Sequence, residues 1–177
     1  SIANTYLRAL NHAVNAIACL SGPPLTERRY LVDFPARAEA IGHPGLAAGL
    51  LGLLGGPAVD ASTLRGWLAE WHNAYLALPT ASAPLSLHPC RLLYYERGIA
   101  ALLESEHPLH CLWPLWNTWT RIITALPADS PHRAAWQTAG ETLGLLGEAF
   151  SSRVAALDAY LDQIEEILEE WARANGA

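Results

Sequence analysis

The sequence contains no lysine and no methionine, so its permanent positive charges come from 11 arginines. The absence of lysine excludes the phosphate-binding lysine of a P-loop, a Schiff-base lysine and a serine–lysine dyad. Charged residues are only 16% of the chain and the formal net charge is -6, which disfavours a nucleic-acid-binding protein with a basic face. Because 51% of the 177 residues are hydrophobic, the chain is not intrinsically disordered and can bury a large core.

Cysteine is scarce as well. Cys19, Cys90 and Cys111 are an odd number at wide spacing, which does not indicate a disulfide framework. The start of the chain has no basic and apolar regions typical of a signal peptide. The most apolar stretch, 46–54, is about half a membrane span and is interrupted by glycine. We therefore expect a cytoplasmic protein without stable membrane insertion, in which Arg28-Arg29 is a solvated pair.

Helical periodicity runs through nearly the whole sequence, and no segment alternates like a β-strand. The pattern predicts an all-α, single-domain bundle of about seven to eight helices over residues 1–177. Asp60 is a good N-cap for one helix, and Pro35 is expected to split or restart another. Later helices are expected at 131–150 and from Val154 onward.

One proline-rich segment interrupts this pattern. Residues 79–89 contain three prolines, which excludes an α-helix and predicts an extended, ordered surface loop. We refer to residues 79–89 as the proline-rich loop. As a hinge between helical halves, it leaves both a monomer and a domain-swapped dimer open.

The C-terminal segment carries most of the net charge. Residues 154–177 hold six acidic residues and one arginine, and the acidic residues lie on the face opposite an apolar stripe. This acidic face is either a solvated surface or a surface that steers a basic partner.

No catalytic motif is present: the sequence contains no G-x-S-x-G, H-E-x-x-H, G-x-G-x-x-G or P-loop pattern. These motifs therefore do not favour an enzyme. The alternative is a helical protein that binds a metal ion or haem, because imidazole and thiolate are usual ligands for both. Its candidate ligands are His88, Cys90, His107, His110 and Cys111.

Tryptophan is frequent, with seven residues. Trp67 and Trp71 precede the proline-rich loop, and Trp113, Trp116 and Trp119 follow it at helical spacing. Such residues either belong to the core or line a groove beside the loop, since tryptophan is enriched at binding hot spots. A groove of this kind would take a peptide helix or an extended apolar segment.

Taken in order, several segments resemble the TorD/DmsD/NarJ family of molybdoenzyme assembly chaperones. A first helix ends in a leucine followed by Pro23-Pro24, and residues 68–79 correspond to the family pattern L-x-x-E-Y-x-x-L-F-x-x-P. The proline-rich loop and acidic amphipathic C-terminal helices come in the family's order. Residues 87–92 stand where the family has P-Y-E-S-x-Y, with His88, Pro89 and Cys90 replacing Tyr, Glu and Ser, and 108–110 stand where it has P-D-H, with Leu109 replacing Asp.

The resemblance implies a non-catalytic role without a cofactor of its own. Members bind the catalytic subunit of a molybdopterin oxidoreductase, or its twin-arginine leader, before cofactor insertion and export. The apolar part of a leader would lie in the aromatic groove, and its basic part would lie on the acidic helix. By position in the motifs, the binding residues are Tyr75, His88, Cys90, Tyr94 and His110. Proximity in the chain adds Trp71, Trp113 and Trp116.

Overall fold

The computed structural model describes residues 1–81 and 83–177. Within them the chain forms eight α-helices and no strand, which confirms the predicted all-α bundle. None of these helices is long and apolar enough to cross a membrane. The helices are α1 (Ile2–Ala18), α2 (Tyr30–Ala40), α3 (Gly45–Leu53), α4 (Ala61–Leu76), α5 (Leu92–Leu103), α6 (Leu112–Ala125), α7 (Arg133–Leu143) and α8 (Phe150–Asn175).

The predicted N-cap at Asp60 is confirmed, whereas the predicted break or restart of the helix at Pro35 is not. The Asp60 carboxylate accepts a hydrogen bond from the Thr63 backbone N–H at 2.8 Å. Pro35 neither splits nor restarts α2, which continues through it. Because α2 begins only at Tyr30, after a 3-10 turn at Glu27–Arg29, the proline lies in its second turn and removes one backbone hydrogen bond.

The segment expected as one helix at 131–150 contains a helix and a turn. α7 ends at Leu143, because Gly144 takes a left-handed conformation with φ 69°. α8 then begins at Phe150, earlier than the predicted start at Val154. A glycine within a helical pattern can either end the helix or lie inside it. Which of the two occurs depends on how the neighbouring helices pack.

The centre of the core is α6, which is buried along most of its length. Two of its threonines are fully buried and accept hydrogen bonds from tryptophans on other helices. Trp71 Nε1 donates to Thr118 Oγ1 at 2.8 Å, and Trp136 Nε1 donates to Thr120 Oγ1 at 3.1 Å. A buried indole N–H without a partner costs about 1–3 kcal/mol, so these bonds help to align α4 and α7 with α6.

The acidic helix α8 packs against α1 and α3. Its apolar stripe is buried, and the Tyr160 hydroxyl donates to the Leu46 carbonyl at 2.9 Å. The acidic side chains on the opposite face are exposed: Asp158, Asp162, Glu165, Glu166, Glu169 and Glu170.

In its described residues, 79–81 and 83–89, the proline-rich loop contains no α-helix, as predicted, but it is not extended. It contains the 3-10 turn Leu85–Leu87, and a second turn, Pro89–Arg91, follows. The last residue of the first turn is fully buried, and the Tyr75 hydroxyl donates to the His88 carbonyl at 3.2 Å. The C-terminal half of the loop is therefore anchored on α4. Ser82, also part of the predicted loop, lies outside the described residues.

Candidate functional site

A half-buried carboxylate connects four segments of the chain beside the proline-rich loop. Glu27 Oε1 accepts hydrogen bonds from Asn117 Nδ2 at 2.6 Å and from Arg121 Nη1 at 3.0 Å. Its other oxygen, Oε2, lies 3.2 Å from the Tyr95 hydroxyl. Arg121 extends the network into the loop, because its Nη2 donates to Ser86 Oγ at 2.7 Å. The turn before α2, α5, α6 and the loop are therefore held by one set of polar contacts.

The hydroxyls of Tyr75 and Tyr95 act as hydrogen-bond donors. Burial, and then the negative charge of Glu27, raise the pKa of Tyr95 above its ordinary value. Its single hydroxyl proton can be donated either to Glu27 or to the Ser86 carbonyl, which lies 3.1 Å away. Burial also raises the pKa of Tyr75 to about 12. Both hydroxyls thus stay protonated and hold the loop at neutral pH.

A cavity of about 470 Å³ lies beside the network, between α1, the segment before α2, and α6. Its volume falls within the range of small-ligand pockets. The rings of Tyr30 and Trp113 form part of its wall and are stacked, with centroids 3.9 Å apart. Its polar wall is formed by Arg8, Asn11, Asn15, Glu27, Asn117 and Arg121.

A second cavity of about 350 Å³ shares Glu27 with the first one and opens beside the start of α5. It is lined by Arg28, Cys90, Arg91 and two tyrosines. The guanidinium carbon of Arg28 lies 4.5 Å from the centroid of the Tyr94 ring, a cation–π contact. Of the Arg28-Arg29 pair expected to be solvated, Arg29 is exposed and Arg28 is partly buried beside the tyrosine ring.

The two cavities are locally basic, although the whole chain has a net charge of -6. Arg8, Arg28, Arg91 and Arg121 line them together with a single carboxylate, Glu27. Since Glu27 is already paired with Arg121, the remaining arginines give this face a positive potential. The face therefore suits an acidic partner.

Apolar side chains are exposed around the same loop. Among the described residues, five large apolar side chains are exposed, and four of them belong to residues 76–94. The four are Leu76, Leu85, Leu93 and Tyr94, and we refer to them as the loop apolar cluster. The fifth, Ile2, is at the start of α1. These four lie close together in the sequence, and exposed apolar side chains near one another are a common mark of a protein–protein contact.

Two of the residues predicted to bind a partner, Cys90 and Tyr94, line the second cavity. A third, His88, lies beside it, with Nδ1 3.1 Å from Cys90 Sγ. Tyr94 is half exposed on the first turn of α5, whereas Tyr75 is buried and its hydroxyl donates to the His88 carbonyl.

Four predicted aromatic residues are buried in the core. Trp71, Tyr75 and Trp116 are 0%, 2% and 1% exposed. The expectation that they line an open groove is therefore wrong, because their helical spacing directs them to the inner faces of α4 and α6. Trp113 is 3% exposed and contributes to the wall of the larger cavity, where it is stacked on Tyr30.

The candidate metal ligands do not form one group. His107 and His110 are close, with ring centroids 5.1 Å apart, but His110 lines a small apolar cavity with residues of α2 and α3. Cys111 is fully buried, and burial raises its pKa to about 12. Within residues 1–81 and 83–177, no three His, Cys, Asp or Glu side chains are arranged to hold a metal ion. The described residues therefore contain no site with three such ligands for a metal ion.

The surroundings of His110 predict a pH-dependent stability. Burial, and then the neighbouring His107, lower the pKa of His110 below its ordinary value of 6.5. The folded chain therefore binds a proton less readily than the unfolded chain, and its free energy of unfolding decreases as the pH falls through 6.5. We expect His110→Gln to flatten this dependence between roughly pH 7 and pH 5. Denaturant titrations of both proteins across this range measure it, and an unchanged slope would contradict the assignment.

Glu27, Asn117 and Arg121 were not among the residues that the sequence predicted for a site. Glu27 and Arg121 are 94 positions apart, and no local motif connects them. One signal was available, because Arg121 is the sole charged residue in the otherwise uncharged α6. A single charge inside a buried helix needs a partner, but the sequence does not say which one.

Comparison of the chain with family models, with curated proteins and with solved structures gave no match.

Proposed function

We propose that this protein is an assembly chaperone that holds the catalytic subunit of a molybdopterin oxidoreductase, or its leader, before cofactor insertion and export. The observation that carries the proposal is the loop apolar cluster, because four of the five exposed large apolar side chains lie within residues 76–94. A surface of this kind can hold an apolar segment of a client through side-chain burial. The resemblance described above supplies the class of client.

Charge suggests how the client would be oriented. Tyr94 of the loop apolar cluster lines the second cavity with Arg28 and Arg91, so this surface favours a client segment that combines apolar and acidic residues. The exposed acidic face of α8 is supported by α1 and α3, away from the residues that anchor the loop. A leader with two arginines is therefore better matched to α8, and an acidic segment of the subunit is better matched to the loop.

The experiment is an affinity capture from the native host under conditions in which such oxidoreductases are made. The full chain is tagged at its C-terminus, and bound proteins are identified by mass spectrometry. We compare the unmodified chain with the double variant Leu93→Ser, Tyr94→Ser and with the control Ile2→Ser. Both variants replace exposed apolar side chains, so little loss of stability is expected in either.

We expect the unmodified chain and Ile2→Ser to enrich one molybdopterin oxidoreductase subunit equally. The double variant should recover at least about tenfold less, because exposed aromatic and aliphatic residues at the centre of a contact carry most of its affinity. Capture without any such subunit would reject the proposed client. Equal capture by all three proteins would reject the loop apolar cluster as the binding surface.

A further inference from the structure

Cys90 and His88 form a thiol–imidazole pair at the second cavity. Cys90 Sγ lies 3.1 Å from His88 Nδ1, and Cys90 is an exposed, free cysteine. The pair stands in the 3-10 turn that leads into α5. A thiol within hydrogen-bond distance of an imidazole is the arrangement that nucleophilic thiols use.

The backbone determines which imidazole nitrogen accepts the proton. The Cys90 backbone N–H donates to His88 Nδ1 at 3.3 Å, as an N-cap of the turn. Nδ1 is therefore the acceptor nitrogen, and the ring proton of the neutral imidazole is on Nε2. The same Nδ1 lies 3.1 Å from the thiol sulfur, so its single lone pair is shared between the backbone N–H and the thiol and is in reach of the thiol proton.

The charges around the pair favour an anionic reactant. Arg28 and Arg91 line the cavity with Cys90, together with Glu27. The carboxylate of Glu27 is engaged by Arg121 and Asn117, so the two arginines at the cavity dominate its potential. An anionic molecule would be concentrated next to the sulfur.

We propose that Cys90 is a thiol–disulfide exchange site for small anionic disulfides, with His88 as its base. In the reaction, His88 accepts the thiol proton while the sulfur of Cys90 attacks one sulfur of the disulfide. The bond between Cys90 and that sulfur forms, the original disulfide bond breaks, and the other half leaves as a thiolate. The proton then passes from His88 to the leaving thiolate. Cys90 is oxidised to a mixed disulfide, and one half of the disulfide is reduced to a thiol.

The other two cysteines are internal references for this activity. Cys19 is exposed, like Cys90, but in the described residues no hydrogen bond connects its sulfur to a histidine. Cys111 is fully buried and should not react in the folded chain. Because the chain has no lysine, trypsin cleaves at arginine and separates the three cysteines into the peptides 9–28, 66–91 and 98–121.

The experiment measures the rate at which each cysteine of the folded full-length chain forms a mixed disulfide. The probes are dithiobis(nitrobenzoate), which is dianionic, and dithiodipyridine, which is neutral. Samples are quenched with acid at intervals, digested without reductant and quantified by mass spectrometry. At neutral pH we expect Cys90 to react at least about tenfold faster than Cys19 with the anionic disulfide, and this ratio should decrease at high salt.

Two variants test separately the contribution of the base and that of the positive charge at the cavity. His88→Asn retains an N-cap acceptor but no base, so the rate of Cys90 should fall about tenfold with both probes. Arg28→Gln should lower the rate of Cys90 with the anionic probe only, by roughly threefold. Equal rates for Cys90 and Cys19 in the unmodified chain would overturn the proposal, and so would a rate of Cys90 that His88→Asn leaves unchanged. These rates do not depend on capture of a client. A negative result here would therefore contradict the exchange site without contradicting the proposed chaperone function.

Discussion

Replacing Glu27 with alanine is expected to destabilise the fold by about 2–4 kcal/mol and to loosen the proline-rich loop. The substitution leaves the donors of Asn117 and Arg121 without their shared acceptor. The side chains of Arg121 and Glu27 are only 28% and 24% exposed, so water replaces these bonds incompletely. Denaturant unfolding measures the loss of stability. Limited trypsin cleavage after the exposed Arg91 measures the loosening under native conditions.

The matched control is Asp33→Ala. It removes the same charge from the neighbouring part of the chain, where Asp33 pairs with Arg29 at 2.8 Å. The Arg29 and Asp33 side chains are 62% and 35% exposed and four residues apart on the chain, so the expected cost is about 0.5 kcal/mol. Trypsin cleavage at Arg91 should not change. If both variants lose the same stability, Glu27 does not organise the loop.

Replacing Gly55 with alanine is expected to cost about 2–4 kcal/mol. Gly55 has φ 75°, which a residue with a Cβ adopts only with strain. An added Cβ would also meet the backbone of Leu143 at the end of α7, and its distance to the Leu143 Cα would be 2.8 Å. Backbone cannot rotate away as a flexible side chain can, so the contact between the α3–α4 connection and α7 must open. Thermal and denaturant unfolding measure the loss.

Gly66→Ala is the control for this substitution. Gly66 lies inside α4, and an added Cβ there would meet no atom within 4 Å. Alanine favours the helix over glycine by about 0.5–1 kcal/mol, so Gly66→Ala should raise the stability. A lower free energy of unfolding in Gly55→Ala together with a higher one in Gly66→Ala would show that close packing against Leu143 matters. An unchanged free energy of unfolding in Gly55→Ala would contradict the close approach of these segments.

Most of the helical content could be predicted, because apolar spacing reports directly on which side of a helix is buried. The stripe of α8 and the cap at Asp60 are examples, since both depend on residues within a few positions of one another. The end of α7 at Gly144 could not be predicted as reliably as these two features. Whether a glycine ends a helix depends on the elements that pack around it, and here α8 begins shortly afterwards at Phe150.

The candidate site was predicted only in part. The resemblance pointed to His88, Cys90 and Tyr94; the structure places Cys90 and Tyr94 on the wall of one cavity and His88 next to Cys90. Proximity in the chain pointed to Trp71 and Trp116, which are core residues. Aromatic residues at helical spacing look the same whether their face meets solvent or another helix, so the sequence alone could not distinguish these cases.

Three features were predictable without the structure: the all-α class, the break in the helical pattern at the proline-rich loop, and the separate acidic face at the C-terminus. These features follow from local rules: helical periodicity, the missing N–H of proline and the clustering of charge. Tertiary structure alone decided that the loop is anchored through Ser86 and Tyr75, and that Glu27 meets Arg121. A hydrogen bond between residues 94 positions apart depends on how the helices pack. The basic face of an acidic protein arises in the same way, because folding gathers arginines that the sequence keeps apart.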